Sequence, residues 1–189
     1  MEESWPRHLL KVVKTFVKYL LMRAMQFPTS EGRRQKYGEH INMNISEEGK
    51  ALIKKFESCR LESYKCSANV WTCGWGATKG VDENTVWSQS YADERFEGDI
   101  QEFENYVNDL VTAPLQQCQF DALCSWCYNL GPANLKSSSM LRVLNEGNYE
   151  EVPYQLQRWN KANGEILEGL VRRRKAEALL FEDKDWTNI

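Results

Sequence analysis

From Ser90 onward the chain keeps a helical pattern interrupted only by Pro114, Gly131-Pro132, Gly147 and Gly164. Proline lacks the amide that a helix interior needs, and glycine loses the most backbone freedom on folding, so each is a natural stop. The intervals predict helices over 90–111, 115–129, 137–145, 149–161 and 168–182. Phe120, Leu123, Trp126 and Leu141 fall on their apolar faces and read as core, whereas Arg172, Arg173 and Arg174 read as a mostly solvated helix end. The stretch before Ser90 is of another kind. Residues 64–75 mix aromatic and β-branched side chains with turn formers and lead into Gly74, Gly76 and Gly80, which predicts a hairpin or three-stranded flap over 62–82. Upstream, Ser46 can cap a helix with Glu47 and Glu48 in its first turn, running out near Cys59 with Glu57 in its last turn. The fold class is α+β, a small β lobe set in a larger helical body.

Charge divides the chain into two parts. The 189 residues carry 24 Lys+Arg against 27 Asp+Glu, a net charge of -3, so nothing demands a nucleic-acid partner. Basic side chains nevertheless concentrate before residue 40, where Lys11, Lys14 and Lys18 share one side of an expected amphipathic helix. That helix either packs its apolar face on the main body or lies on an anionic membrane surface through residues 1–26. Its lysines rule it out as a membrane span, which needs about 20 mostly apolar residues. Glu2 and Glu3 stand where a secretory leader would be positive. Pro28, Ser30, Gly32 and Gly38 mark a linker, so the expected division is an extension over 1–42 and a main domain over 43–189.

All six cysteines lie in the main domain. Cys124 and Cys127 form a C-x-x-C, but the only histidines are His8 and His40, so no metal and no cofactor is expected. Most of the thiols read as small buried hydrophobes of a reducing compartment. Cys59 and Cys66 are close enough in sequence for a bridge to be conceivable, and two independent thiols is the preferred reading.

A single carboxylic acid, Glu57, meets the Trp- and Gly-rich flap at the end of its helix. Breaking a glycosidic bond requires a proton donor for the leaving oxygen and assistance to water or a nucleophile on the opposite face of the sugar. Crowding by Phe56, Trp71 or Trp75 would suit a carboxyl group kept protonated. Glycines such as Gly76 would let a sugar chain approach the backbone closely.

The stretch from Glu57 to Thr72 resembles the catalytic signature of phage-type lysozymes, glycoside hydrolase family 24: Glu, eight residues, Asp or Cys, five residues, Thr. The run Thr72-x-Gly74-x-Gly76-x-Thr78 continues the likeness. So do QFDAL at 119–123, NLG at 129–131, SSSML at 137–141, Arg158-Trp159 and GLVRRR at 169–174. The resemblance implies a lysozyme-like fold and an endolysin that hydrolyses the β-1,4 bond between N-acetylmuramic acid and N-acetylglucosamine in bacterial peptidoglycan. It implies a monomer, made in a host cytoplasm and acting on the wall. By position, Glu57 corresponds to the proton donor and Thr72 to the residue that holds the catalytic water, while Trp71, Trp75 and Gly76 are candidates for substrate binding. Two departures stand out. Ala77 replaces a histidine of many relatives, and Cys66 occupies the usual Asp position. A free thiol ionises near 8.5 and is a poorer base than a carboxylate. Cys66 as base or water-orienting dipole implies inversion and is preferred; Cys66 as nucleophile implies retention. A lytic transglycosylase, which dispenses with water, and a non-catalytic peptidoglycan-binding or membrane-active protein are the rival readings.

Overall fold

The computed structural model describes residues 42–66 and 69–189. The expected amphipathic helix and linker therefore lie outside the described residues, except for residue 42. The main body is docked from Met43 onward. Met43 and Asn108 exchange two hydrogen bonds (3.0 and 2.9 Å), and the Ile45 amide donates to buried Glu104 at 2.8 Å.

Helix α1 spans Glu47–Phe56. Ser46 caps it, accepting from the Gly49 amide, with Glu47 and Glu48 at the positive end of the dipole and Lys54 and Lys55 at the negative end. It stops one residue short of the expected acid. Glu57 is the C-cap, in extended conformation (φ -97°, ψ 121°), although its amide still donates to Ile53. An antiparallel hairpin follows, β1 Arg60–Lys65 and β2 Trp71–Gly74, with Tyr64 opposite Thr72 and Lys65 opposite Trp71. Asn69 holds a left-handed φ of 59° where the chain reverses, as the last residue of a short hairpin loop often does. On the other edge of β1, Ser63 donates to Thr85 and Trp87 donates to Leu61, so the flap gains a third extended segment somewhat beyond residue 82.

The helical lobe contains α2 Gln89–Leu110, α3 Gln117–Leu130, α4 Pro132–Ser137, α5 Ser139–Asn145, α6 Val152–Gln157 and α7 Glu168–Phe181. Central α3 is enclosed by α1, α2 and α7, and it buries Phe120, Leu123 and Trp126 as expected, with Leu141 joining from α5. Burial on this scale is worth about 1.5–3 kcal/mol per large apolar side chain.

Two expectations need correction. Helix α4 occupies residues for which the sequence signals only a break at Gly131-Pro132; proline is well tolerated in a first helical turn, and Pro132 begins the new helix. The single helix expected over 149–161 is a 3-10 turn, Tyr149–Glu151, followed by short α6. The chain then forms a second hairpin, β3 Lys161–Ala162 and β4 Glu165–Ile166. Asn163 and Gly164 both adopt positive φ (53° and 86°), the two-residue turn that matches strand twist. No helix among the described residues is long and apolar enough to cross a membrane.

Candidate active site

The end of α1 leaves the Glu57 carboxylate between the flap and the core of the helical lobe. Arg173 of α7 donates from Nη1 to Glu57 Oε1. The arginine is itself anchored, from Nε to Glu177 at 3.2 Å and from Nη2 to the Ser125 carbonyl at 3.3 Å. Glu177 also accepts from the Ser125 hydroxyl (2.8 Å) and from Arg174 Nη2 (3.0 Å), and Arg174 reaches Asn129 at 3.0 Å. Burial pulls Arg174 down to about 10, opposed by the charge of Glu177. It remains a cation at neutral pH.

This cluster overturns the reading of the arginine run. Arg172 is exposed, but Arg173 is 3 % exposed and Arg174 0 %. A guanidinium is buried at tolerable cost only when charges and carbonyls await it. Glu177 is on the same helix, but Glu57 at the end of α1 and Ser125 and Asn129 of α3 are remote in sequence, so the run's neighbourhood gave no sign of those three. The available signal was Glu177, one helical turn after Arg173 and Arg174 and set among apolar Ala176, Ala178, Leu179 and Leu180.

The turn after β2 forms the other side of the acid. Gly74 and Gly76 both have positive φ (61° and 97°), and Cys73 bridges to Ala77 across them. A Cβ on Gly76 would stand 3.8 Å from Glu57 Oε2, so this bare backbone is the surface facing the free oxygen. Tyr128 of α3 pins the turn, donating at 2.7 Å to the Trp75 carbonyl. Burial pushes the Tyr128 phenol upward and the negative charge of Glu57 adds to it. It stays a neutral donor.

Residues directly opposite on paired strands share a face, and so do residues two apart on one strand. Thr72, Tyr64 and Cys66 thus lie on one face of the hairpin, and Thr72 is 4 % exposed. The Thr72 hydroxyl donates to the Val70 carbonyl at 3.1 Å, which leaves its lone pairs to accept. Cys66 is half-buried at the loop end of the strand, its amide donating to Val70 at 3.0 Å. The structure therefore gathers Glu57 and Gly76, with Thr72 and Cys66 on a shared hairpin face.

Trp71 and Trp75 are placed differently. Trp71 is on the opposite face of the hairpin, with Lys65 Nζ 5.1 Å above its ring. Trp75 turns its indole nitrogen to Asp93 (2.8 Å), packs beside Phe96 and lies under Lys54 at 5.1 Å. Of the aromatic side chains expected to crowd Glu57, Phe56 has its ring 6.0 Å from the Arg173 guanidinium that holds Oε1.

All six cysteines are free thiols. Cys73, Cys124 and Cys127 are buried as expected of most of them, but Cys59, Cys66 and Cys118 are half-buried. Polar neighbours explain two of these: Cys59 is 3.8 Å from Gln89 Oε1 and Cys118 is 3.8 Å from Gln116 Oε1.

Comparison with known proteins identifies the family. Residues 54–177 match the family model described as phage lysozyme, a span that includes Glu57, Cys66, Thr72 and Arg173. The endolysin of Acyrthosiphon pisum secondary endosymbiont phage 1 is 39% identical over 74% of this chain and 99% of its own length. The endolysin of Bacillus phage B103 is also 39% identical, over 78% of this chain but only 57% of that protein. Among solved structures, the muramidase domain of SpmX from Asticaccaulis excentricus superposes with a TM-score of 0.69 at 36% identity, over 73% of this chain and 97% of that one.

Proposed function

The chain belongs to the phage lysozyme family, and from that premise we propose that it is an endolysin that hydrolyses the β-1,4 bond between N-acetylmuramic acid and N-acetylglucosamine in bacterial peptidoglycan. Hydrolytic attack on the cell wall is the activity common to its relatives; the bond and the residues assigned to it are our reading. One observation carries that reading: Arg173 holds Glu57 Oε1 while Oε2 faces the glycine turn. An acid fixed by one oxygen presents the other, with its proton, to a bond laid along the bare backbone of Gly76. In the proposed step Oε2 gives its proton to the leaving oxygen as the bond to the anomeric carbon breaks. Water bonds to that carbon from the side of Thr72 and Cys66, and its own proton passes to the solvent on that side. Attack from the opposite face inverts the configuration.

Trp71 and Trp75 support the site from outside it in this proposal, Trp71 by stiffening the hairpin with Lys65 and Trp75 by tying the glycine turn to α2 through Asp93. The lytic transglycosylase remains the second reading because a thiol stands where a second carboxylate would activate water. Digestion of purified peptidoglycan by the wild type and Glu57→Gln, with mass spectrometry of the fragment ends, tests both. The variant is expected to lose about 10²- to 10⁴-fold in rate, and the wild type to leave reducing ends. Full activity in Glu57→Gln would end the proposal, and anhydro-muramyl ends from the wild type would replace hydrolysis with transglycosylation.

A further inference from the structure

We infer that the hydroxyl of Tyr64 is a water-holding group of this site, acting beside Thr72 on the sugar face opposite Glu57. The inference rests on the reading of Glu57 given above. No feature of the sequence singled out this tyrosine. Its strand position does, because it sits directly across from Thr72 and two residues before Cys66. Pairing and alternation turn all three side chains to one side of the hairpin, the side on which Thr72 is buried.

The ring is held in place. Arg60, displaced by the irregular register between Arg60 and Tyr64, stacks its guanidinium 4.2 Å above it. A cation on the ring face fixes an aromatic plane without using its hydroxyl. The phenol is therefore positioned by its body, and its hydroxyl has no hydrogen-bond partner among the described residues. Burial raises its proton affinity above the usual value of 10, and the charges of Glu57 and Cys66 add to that against the opposing Arg60. At neutral pH it is an O–H donor within electrostatic reach of both the acid and the thiol.

Thr72 complements it. Its hydroxyl proton is committed to Val70, so towards a water molecule it can only accept. A water that gives one hydrogen to Thr72 and receives one from Tyr64 keeps a lone pair for the anomeric carbon. Its second hydrogen is directed to the Cys66 side. A thiol is only a weak acceptor for orienting water, and the phenol supplies a second constraint.

The test is Tyr64→Phe, which preserves the ring, the strand pairing and the Arg60 stack. On purified peptidoglycan, kcat should fall by about five- to tenfold, the value of one well-placed hydrogen bond, while KM stays within about twofold. The melting temperature should not move. The fraction of anhydro-muramyl ends should rise, because loss of a held water favours attack by the sugar's own hydroxyl. An unchanged kcat and end distribution would overturn the inference. So would a fall in kcat that accompanies a lower melting temperature with no change in end chemistry, since that assigns Tyr64 a structural role. Glu57→Gln measured in parallel separates the two failures. Activity in that variant overturns the reading of the whole site, whereas an inactive Glu57→Gln beside a normal Tyr64→Phe overturns the role of Tyr64 alone.

Discussion

At the scale of single residues, the site depends on Arg173 as much as on the acid it holds. Its guanidinium serves two carboxylates at once, Glu57 at the edge of the site and Glu177 within the core. Glu177 is 0 % exposed, so removing Arg173 leaves an interior charge supported only by Arg174 and the Ser125 hydroxyl. Arg173→Met should destabilise the fold by about 3–5 kcal/mol, the usual result of breaking one side of a buried ion pair. Urea unfolding of the two proteins measures it, and a loss under about 1 kcal/mol would show that Arg174 alone satisfies Glu177. The acid was legible in the sequence because its spacing to Cys66 and Thr72 is local. Arg173 was not, because only its i,i+4 partner Glu177 is local, while Glu57 and Ser125 reach it only in three dimensions.

At the scale of elements, the β lobe is joined to the helices by a few polar contacts more than by shared core. Asp93 on α2 is the clearest of these, accepting from Gln89, from Lys54 of α1 at 3.0 Å and from the indole of Trp75 at 2.8 Å. These bonds, with Gln89 the largest influence and Lys54 next, hold its carboxyl below the usual range. A carboxylate whose folded value is depressed adds stability that is complete above its unfolded value, about 3.9, and that disappears as pH falls through the lower folded value. Thermal melts should therefore show the wild type more stable than Asp93→Asn near neutrality, with the gap closing below about pH 4. A gap independent of pH would mean that hydrogen-bond geometry matters and the charge does not. Element boundaries show where the sequence misled. Asn163-Gly164 is a strong hairpin signal, but with only two residues in each flanking strand the alternation that would announce them is too short to see. Pro132 reads equally as an ending, because a proline that starts a helix and one that follows a helix look alike in sequence.

At the scale of the whole molecule, the α+β plan and most of its core were legible because long amphipathic helices and a Gly-rich flap leave periodic traces. The way two helices close together left none. Gly49 is the example: a Cβ there would meet the Asp121 Cβ at 2.7 Å, so α1 lies backbone-close to α3 and the acid-bearing helix has a fixed approach. The anchoring of Glu57 through Arg173 to Ser125 and Glu177 then has a thermal consequence. Local opening normally begins where few buried contacts hold the chain, and in many enzymes the site fails before the body does. Here the acid is tethered to the interior of α3 and α7, among the most deeply buried parts of the described fold. The heat-inactivation curve of the enzyme should accordingly overlay its unfolding curve followed by circular dichroism, whereas inactivation several degrees ahead of unfolding would show that the tether opens first. Catalytic competence in this molecule should persist until cooperative melting of the core.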